Sequence, residues 1–239
     1  NWSLEKSGGA GLFTSVLEQA LLAAAADLAV HSAKDLPTTM TGGLVLAGYL
    51  PRATPGDVLI LRDGVKEPQL LATASPRRRA QMKRIFPQAA FREVRGNVET
   101  RLEKIRKGKA DGTVMAAAGL QRLGLWNWPG LRFLPLPLRS SVPAAAQGAI
   151  ALQCRAGEVG PLEGIFCAET ARAVELERAF LASLGGGCHA AVAAHVVNGR
   201  LHAFTEDHGY RCFPLRQGAD AETVRGFAET LLREESEET

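Results

Sequence analysis

Residues 69–116 read QLLATASPRRRAQMKRIFPQAAFREVRGNVETRLEKIRKGKADGTVMA, and along this stretch short apolar runs alternate with segments of helical spacing. Gln69 to Thr73 has the composition of a strand entering a turn. Pro76 then stands where a first helical turn tolerates proline, because the amide it lacks has no intrahelical partner there. The spacing predicts a helix over Arg77 to Phe86, a strand over Phe91 to Val94 and a turn at Gly96-Asn97. A helix over Val98 to Lys107, stopped at Gly108, and a strand over Gly112 to Ala116 follow. Strands separated by helices at this interval indicate an α/β protein with largely parallel or mixed sheets.

The same reading extends in both directions. Upstream, Thr14 to Ala26 has apolar residues at helical spacing and leads into a short strand, Leu28-Ala29-Val30, that ends at His31. Gly43 to Tyr49 and Asp57 to Leu61 read as strands, and the proline-bearing Leu50 to Gly56 between them suits a crossing between domains. Downstream, Pro135 to Pro143 reads as a second crossing and Ala149 to Leu152 as a strand. Ala168 to Leu184 is the longest helix expected, with Glu175, Glu177 and Arg178 on its polar positions and Gly185 at its end. Ala190 to Val197 and Leu201 to Thr205 form a hairpin turned by Asn198-Gly199, and a helix over Ala221 to Glu234 precedes an acidic tail.

With 239 residues, 46% of them apolar, the chain can bury a full core. Its net charge is only +3, yet residues 77–109 hold twelve Lys or Arg against three Glu, a local excess of nine. Such asymmetry points to a local anion site within an otherwise acidic chain. The basic stretch has only Phe86 and Phe91 as aromatics and no stacking pattern, which argues against nucleic acid. The longest apolar run, Ala20 to Ala26, is too short to cross a bilayer, and no secretory pattern opens the chain, so a cytoplasmic or organelle-matrix setting is expected. Cys154, Cys167, Cys188 and Cys212 are widely spaced, which favours reduced thiols and supports neither a disulfide scaffold nor a metal site. The start at Asn1, without methionine, reads as a chain lacking an N-terminal portion.

Two separated runs carry the chemistry. His31-Ser32-Ala33-Lys34-Asp35-Leu36-Pro37 sets one carboxylate among polar groups at the end of an apolar strand; Gly185-Gly186-Gly187-Cys188-His189 sets one thiol in a glycine loop. Taken alone, Asp35 reads as a turn aspartate and a lone cysteine as a small hydrophobe, as Cys154, Cys167 and Cys212 are read. The glycines distinguish Cys188, and a helix C-terminus would not activate it, so a permanent covalent anchor is the fitting use. Between the two runs, Thr73, Ser75, Arg77 and Arg78, then Arg95 and Arg101, occupy strand-to-helix junctions, where amides and guanidinium forks face anions. Lys104, Arg106, Lys107 and Lys109 read instead as a solvated helix face.

HSAKDLP, TASPRRRAQ, RGNVETRLEK, AAAGLQRLGL (Ala116 to Leu125), PAAAQGAIALQCR (Pro143 to Arg155) and ERAFLASLGGGC (Glu177 to Cys188) occur in the order and spacing of the porphobilinogen deaminase (hydroxymethylbilane synthase) family, which this chain resembles from about Lys6 to its last helix. The resemblance implies an α/β fold of three domains: residues 1–50 with 145–162, and 56–140, as two periplasmic-binding-protein-like lobes, and 166–239 as a smaller α+β cofactor-carrying domain. It implies that four porphobilinogen molecules are deaminated and joined head to tail into hydroxymethylbilane. The primer is a dipyrromethane fixed by a thioether to Cys188. By the resemblance Asp35 is catalytic, and Lys34, Ser75, Arg77 and Arg78 hold the cofactor. Ser32, Thr73, Arg95, Arg101, Arg122 and Gln147 hold substrate, with no metal, membrane or nucleic acid involved and a monomer expected. The chain departs from the family pattern in lacking its N-terminal Thr-Arg motif, and at Ala10, Ala74, Ala146 and Ala190-Ala191. The competing expectation is a non-catalytic two-lobe anion-binding module or an inactive homologue.

Overall fold

The computed structural model describes residues 11–37, 40–185 and 191–237. In chain order these form α1 (Gly11–Leu22), β1 (Ala29–Ser32), a 3₁₀ turn (Ala33–Asp35), β2 (Leu44–Tyr49), β3 (Asp57–Arg62), β4 (Leu70–Ala72), α2 (Pro76–Ile85), β5 (Ala90–Arg92), α3 (Val98–Arg106) and β6 (Gly112–Ala116). There follow α4 (Ala117–Leu123), β7 (Leu131–Pro135), β8 (Ile150–Arg155), a second 3₁₀ segment (Gly160–Ile165), α5 (Ala168–Ser183), β9 (Ala193–Val197), β10 (Arg200–Thr205), β11 (Gly209–Pro214) and α6 (Ala221–Glu237).

The strands make three sheets, ordered β1-β8-β2, β5-β4-β6-β3-β7 and β11-β10-β9. Only the five-stranded sheet is mixed: β4 runs parallel to β5 and β6, while β3 is antiparallel to β6 and β7. The other two are antiparallel throughout, which departs from the expectation of largely parallel or mixed sheets. Helix-linked crossovers produce parallel pairing, and an unbroken alternation of helix and strand over several elements runs only from β4 to β7, residues 70–135. The helix α4 and the strands β7 and β11 have no counterpart in the sequence reading.

Along β3 successive side chains leave the sheet on opposite sides. Val58 and Ile60 pack with Leu102, Ile105 and Leu120 beneath α3 and α4, whereas Leu59 and Leu61 pack with Met82 beneath α2. The side chain of Ser75 caps α2 by accepting from the Arg78 amide, and Asn97 caps α3 through the Thr100 amide, at 2.8 Å. Helix α1 ends at Leu22, four residues before the expected Ala26, because Ala24 turns left-handed at φ 53°. Arg155 holds that ending, with Nη1 donating to the carbonyls of Leu21 and Ala26 at 2.7 Å each.

The chain leaves the first sheet through residues 50–56 and returns through 136–149, and these two crossings are bonded to one another. Ala53 N donates to Gly148 O at 3.2 Å, Arg52 Nε to Gln147 O at 2.9 Å and Gln147 Nε2 to Pro55 O at 2.6 Å. Gly148 sits at φ 89°, and a Cβ there would lie 2.5 Å from the Ala53 carbonyl oxygen, so the close approach requires glycine.

Glu177 of α5 corrects the sequence reading. Expected on one of the helix's polar positions, it is completely buried. Its carboxylate accepts both terminal nitrogens of Arg52 at 2.7 and 2.9 Å, the Ala146 amide at 2.7 Å and the Val196 amide at 2.8 Å, and meets His195 Nδ1 at 2.9 Å. Burial alone would raise its pKa; the hydrogen bonds from His195 and Arg52 outweigh this and hold it below the usual carboxylate value. The cause is that α5 buries two faces: Val174 against Leu36 and the first sheet's Tyr49, and Leu176 and Phe180 against Leu201, Ala203 and α6.

Candidate functional site

Asp57 opens β3 with its side chain wholly buried, and it organises the arginines of α2. Its Oδ2 accepts from Arg77 Nη1 at 2.7 Å and from Ser141 Oγ at 3.0 Å. Its Oδ1 accepts from Arg78 Nη2 at 2.8 Å, Arg78 Nε at 3.2 Å and Gln147 Nε2 at 2.9 Å. Burial would raise its pKa, but Arg77 and Arg78 hold it far below the ordinary value, so the carboxylate stays ionised. One carboxylate between two guanidinium groups leaves the cluster with one net positive charge.

The two arginines are spent differently. Arg77 Nη1 also donates to the Val142 carbonyl at 2.7 Å, which ties α2 to the returning crossing. Arg78 reaches a cavity of about 240 Å³ lined by Thr73, Ala74, Ser75, Arg78, Val94, Arg101, Thr113 and Val114. No carboxylate lines it. The hydroxyls of Thr73 and Ser75 accept from backbone amides, which leaves their protons to donate outward. Arg101 Nε is tied to the Gly96 carbonyl at 2.6 Å, and burial followed by the charge of Arg78 lowers its pKa. Two cations facing one cavity without an intervening acid form a site that an anion stabilises.

Lys34 joins this group from the first sheet. Burial lowers its pKa first and Arg78 next; Asp35 and Asp57 oppose that shift, and Arg77 adds to it. The 3₁₀ turn bearing Lys34 and Asp35 therefore lies within electrostatic reach of the arginine cluster. Asp35 itself is exposed, and Ser32 precedes it at the end of β1. Arg122 of α4 donates to the Gly148 carbonyl at 2.8 Å, and Gln147 bridges Asp57 to the outgoing crossing. Arg95 stands apart: it is exposed and paired with Glu93 at 3.2 Å.

Thus Thr73, Ser75, Arg77, Arg78, Arg101 and Gln147 are gathered at one region, Lys34 lies within electrostatic reach of it with Asp35 next in the chain, Arg122 braces the crossing beside it, and Arg95 is on the surface. Cys188, named as the anchor, lies outside the described residues. Cys154 is buried as expected, whereas Cys167 and Cys212 are partly exposed. Asp57, Ser141, Arg52 and Glu177 escaped the sequence reading. The available signal for Asp57 was an acid heading a wholly apolar strand, VLIL, where a charge needs a buried partner. Among the described residues no cluster of His, Cys, Asp and Glu could hold a metal ion, and no helix is long and apolar enough to cross a membrane.

A family model described as "Porphobilinogen deaminase, dipyromethane cofactor binding domain" matches residues 1–160, two-thirds of the sequence. The chain belongs to the porphobilinogen deaminase family. It is 43% identical over 204 residues to the porphobilinogen deaminase of Sphingopyxis alaskensis, covering 81% of this chain and 64% of that one. With the porphobilinogen deaminase of Syntrophotalea carbinolica it shares 44% identity over 200 residues, covering 80% of this chain and 62% of that one. The chain thus spans somewhat under two-thirds of the length of these porphobilinogen deaminases. Among solved structures it is similar to an ABC transporter protein from Parabacteroides distasonis, at TM-score 0.42 and 15% identity over 63% of this chain and 57% of that one. It is also similar to the periplasmic aliphatic sulphonate binding protein SsuA from Escherichia coli, at TM-score 0.41 and 11% identity over 61% and 50%.

Proposed function

We propose that this chain carries the porphobilinogen deaminase activity of its family, a transferase reaction of tetrapyrrole biosynthesis that joins four porphobilinogen molecules head to tail into hydroxymethylbilane. The observation that carries the reading is the cavity at Thr73, Ser75, Arg78 and Arg101, which presents two guanidinium groups and no carboxylate beside the turn bearing Lys34 and Asp35. Each pyrrole of porphobilinogen bears an acetate and a propionate, and planar guanidinium forks bind carboxylates through paired hydrogen bonds. The same donor set suits the acid side chains of a dipyrromethane. That primer, held by a thioether to Cys188, would supply the free pyrrole α-carbon to which substrate is joined.

In each cycle the substrate's C–N bond breaks with loss of ammonia, a C–C bond forms at its methylene carbon, and one pyrrole α-proton leaves. Asp35 is assigned the catalytic role: its carboxylate stabilises positive charge on the pyrrole nitrogen as ammonia departs, and it is exposed so that it can meet incoming rings. Lys34, Ser75, Arg77 and Arg78 are assigned to the cofactor, Arg77 acting through its place in the Asp57 cluster. Ser32, Thr73, Arg95, Arg101, Arg122 and Gln147 are assigned to substrate, with Arg122 and Gln147 also fixing the crossing that forms one wall. Residues 1–50 with 145–162, 56–140 and 166–239 serve as three domains, the first two as periplasmic-binding-protein-like lobes, in a cytoplasmic monomer.

Intact-mass measurement of the purified protein tests the reading. An adduct of two pyrrole units, lost on Cys188→Ser, and a pink colour with Ehrlich's reagent are expected. Asp35→Asn is expected to keep the adduct and lose turnover. A protein that forms hydroxymethylbilane without any adduct, or an Asp35→Asn variant with unchanged turnover, overturns it. No observation favours a non-catalytic anion-binding module over this reading.

A further inference from the structure

The Asp35 turn runs through Leu36 into Pro37, and its backbone oxygens need donors that its own sequence does not provide. Pro37 has no amide, and the Leu36 amide is used within the turn, donating to Ala33 O at 3.4 Å. The donors come from far along the chain. Arg178 of α5 donates through Nη1 to the Leu36 carbonyl at 3.3 Å and through Nη2 to the Pro37 carbonyl at 2.5 Å. One guanidinium fork thus spans the two residues that follow Asp35. Below it, Leu36 packs in the same buried cluster as Val174, one turn earlier on α5.

The direction of this fork is set by its neighbour. Glu177 is locked into the interior by Arg52, His195 and the amides of Ala146 and Val196, which fixes the rotation of α5 about its axis. Arg178, about 100° further round the helix, is thereby presented to the Asp35 turn. The same helix ends at Ser183, five positions before Cys188 in the sequence.

We infer that Arg178 is a positioning residue for Asp35: by clamping the Leu36 and Pro37 carbonyls it registers the acid turn against α5. This rests on the deaminase reading with Asp35 as its acid. Arg178 donates to two backbone carbonyls and does not line the cation-lined cavity, so its contribution is to geometry.

The test uses the full-length protein carrying its primer, with Arg178→Ala, Arg178→Lys and, in parallel, Asp35→Asn. Both carbonyls become open to water in Arg178→Ala, so its melting temperature is expected to stay within about 3 °C of the original. A misplaced acid costs turnover: kcat is expected to fall roughly 10- to 100-fold, with KM for porphobilinogen held within about threefold and the adduct mass unchanged. Arg178→Lys, which keeps a donor within reach of one carbonyl, is expected to recover part of kcat. If Asp35→Asn abolishes turnover while Arg178→Ala has unchanged kcat, the inference fails and the deaminase reading stands. A rise in KM with unchanged kcat also overturns it, because it would place Arg178 in substrate binding. Full turnover by Asp35→Asn would instead sink the reading on which the inference rests.

Discussion

Asp57→Asn replaces a carboxylate that accepts five hydrogen bonds from four side chains and sees no solvent. Asparagine fills the same volume. Its oxygen can serve Arg78 and Gln147, and Ser141 Oγ can turn to accept from its NH2, but that NH2 then faces Arg77 Nη1 across 2.7 Å, donor against donor. The larger loss is the charge: two nearly buried guanidinium groups are left without their counter-ion, and each repels the other. Removing one partner of a buried ion pair costs about 3–5 kcal/mol, which for a chain of this size lowers Tm by roughly 6–20 °C. Thermal unfolding at pH 7 followed by circular dichroism measures this. Arg77→Gln, which removes the excess charge, should be less damaging in the Asp57→Asn background than alone, with a coupling above about 1 kcal/mol. An Asp57→Asn protein melting within about 2 °C of the original, or strictly additive losses in the double variant, would refute the idea that one carboxylate holds the arginine pair.

Acid should act through the same groups. The pKa values of Asp57 and Glu177 are lowered in the folded protein, so the stability they contribute is complete above the unfolded value near 4. It is lost as pH falls from there through the depressed folded values; melts from pH 7 to pH 3 should show Tm declining below about pH 4, and a flat or rising profile contradicts the assignment. On α3, Arg101 faces the cavity while Arg106 is paired outward with Glu103 at 2.7 Å. Arg101→Gln should therefore raise KM for porphobilinogen by about tenfold or more, the worth of a hydrogen bond to a charged group, and Arg106→Gln should leave KM within about twofold. Equal effects would show that the cavity has no special claim on substrate.

Much of this was readable from residues alone, for reasons that differ by region. Between Gln69 and Ala116 each helix has its own cap, Ser75 or Asn97, and each strand a contiguous apolar run, so local chemistry and tertiary structure agree. The acid turn and the arginine junctions were legible because unusual residue types cluster there. What stayed hidden depends on partners distant in sequence. Glu177 looks like a solvated helix residue until α5 is seen wedged between two sheets, where its partner Arg52 lies 125 positions away. Asp57 becomes a hub only once Arg77, Arg78, Ser141 and Gln147 have converged on it. The β11 sequence GYRCFP and the short helix AAGLQRL carry neither strict alternation nor a side-chain cap, so nothing local announced them.

The order β1-β8-β2 has a consequence for how the molecule is made. Among the described residues both β1 and β2 find their hydrogen-bonding neighbour only in β8, which the ribosome supplies about a hundred residues after Tyr49 has emerged. At ordinary elongation rates the two strands wait for roughly 5–20 s with open edges while the intervening mixed sheet is completed. During that interval the nascent chain exposes strand edges to its surroundings, and the tracts Ala29–Ser32 and Leu44–Tyr49 are where a holding chaperone would be needed.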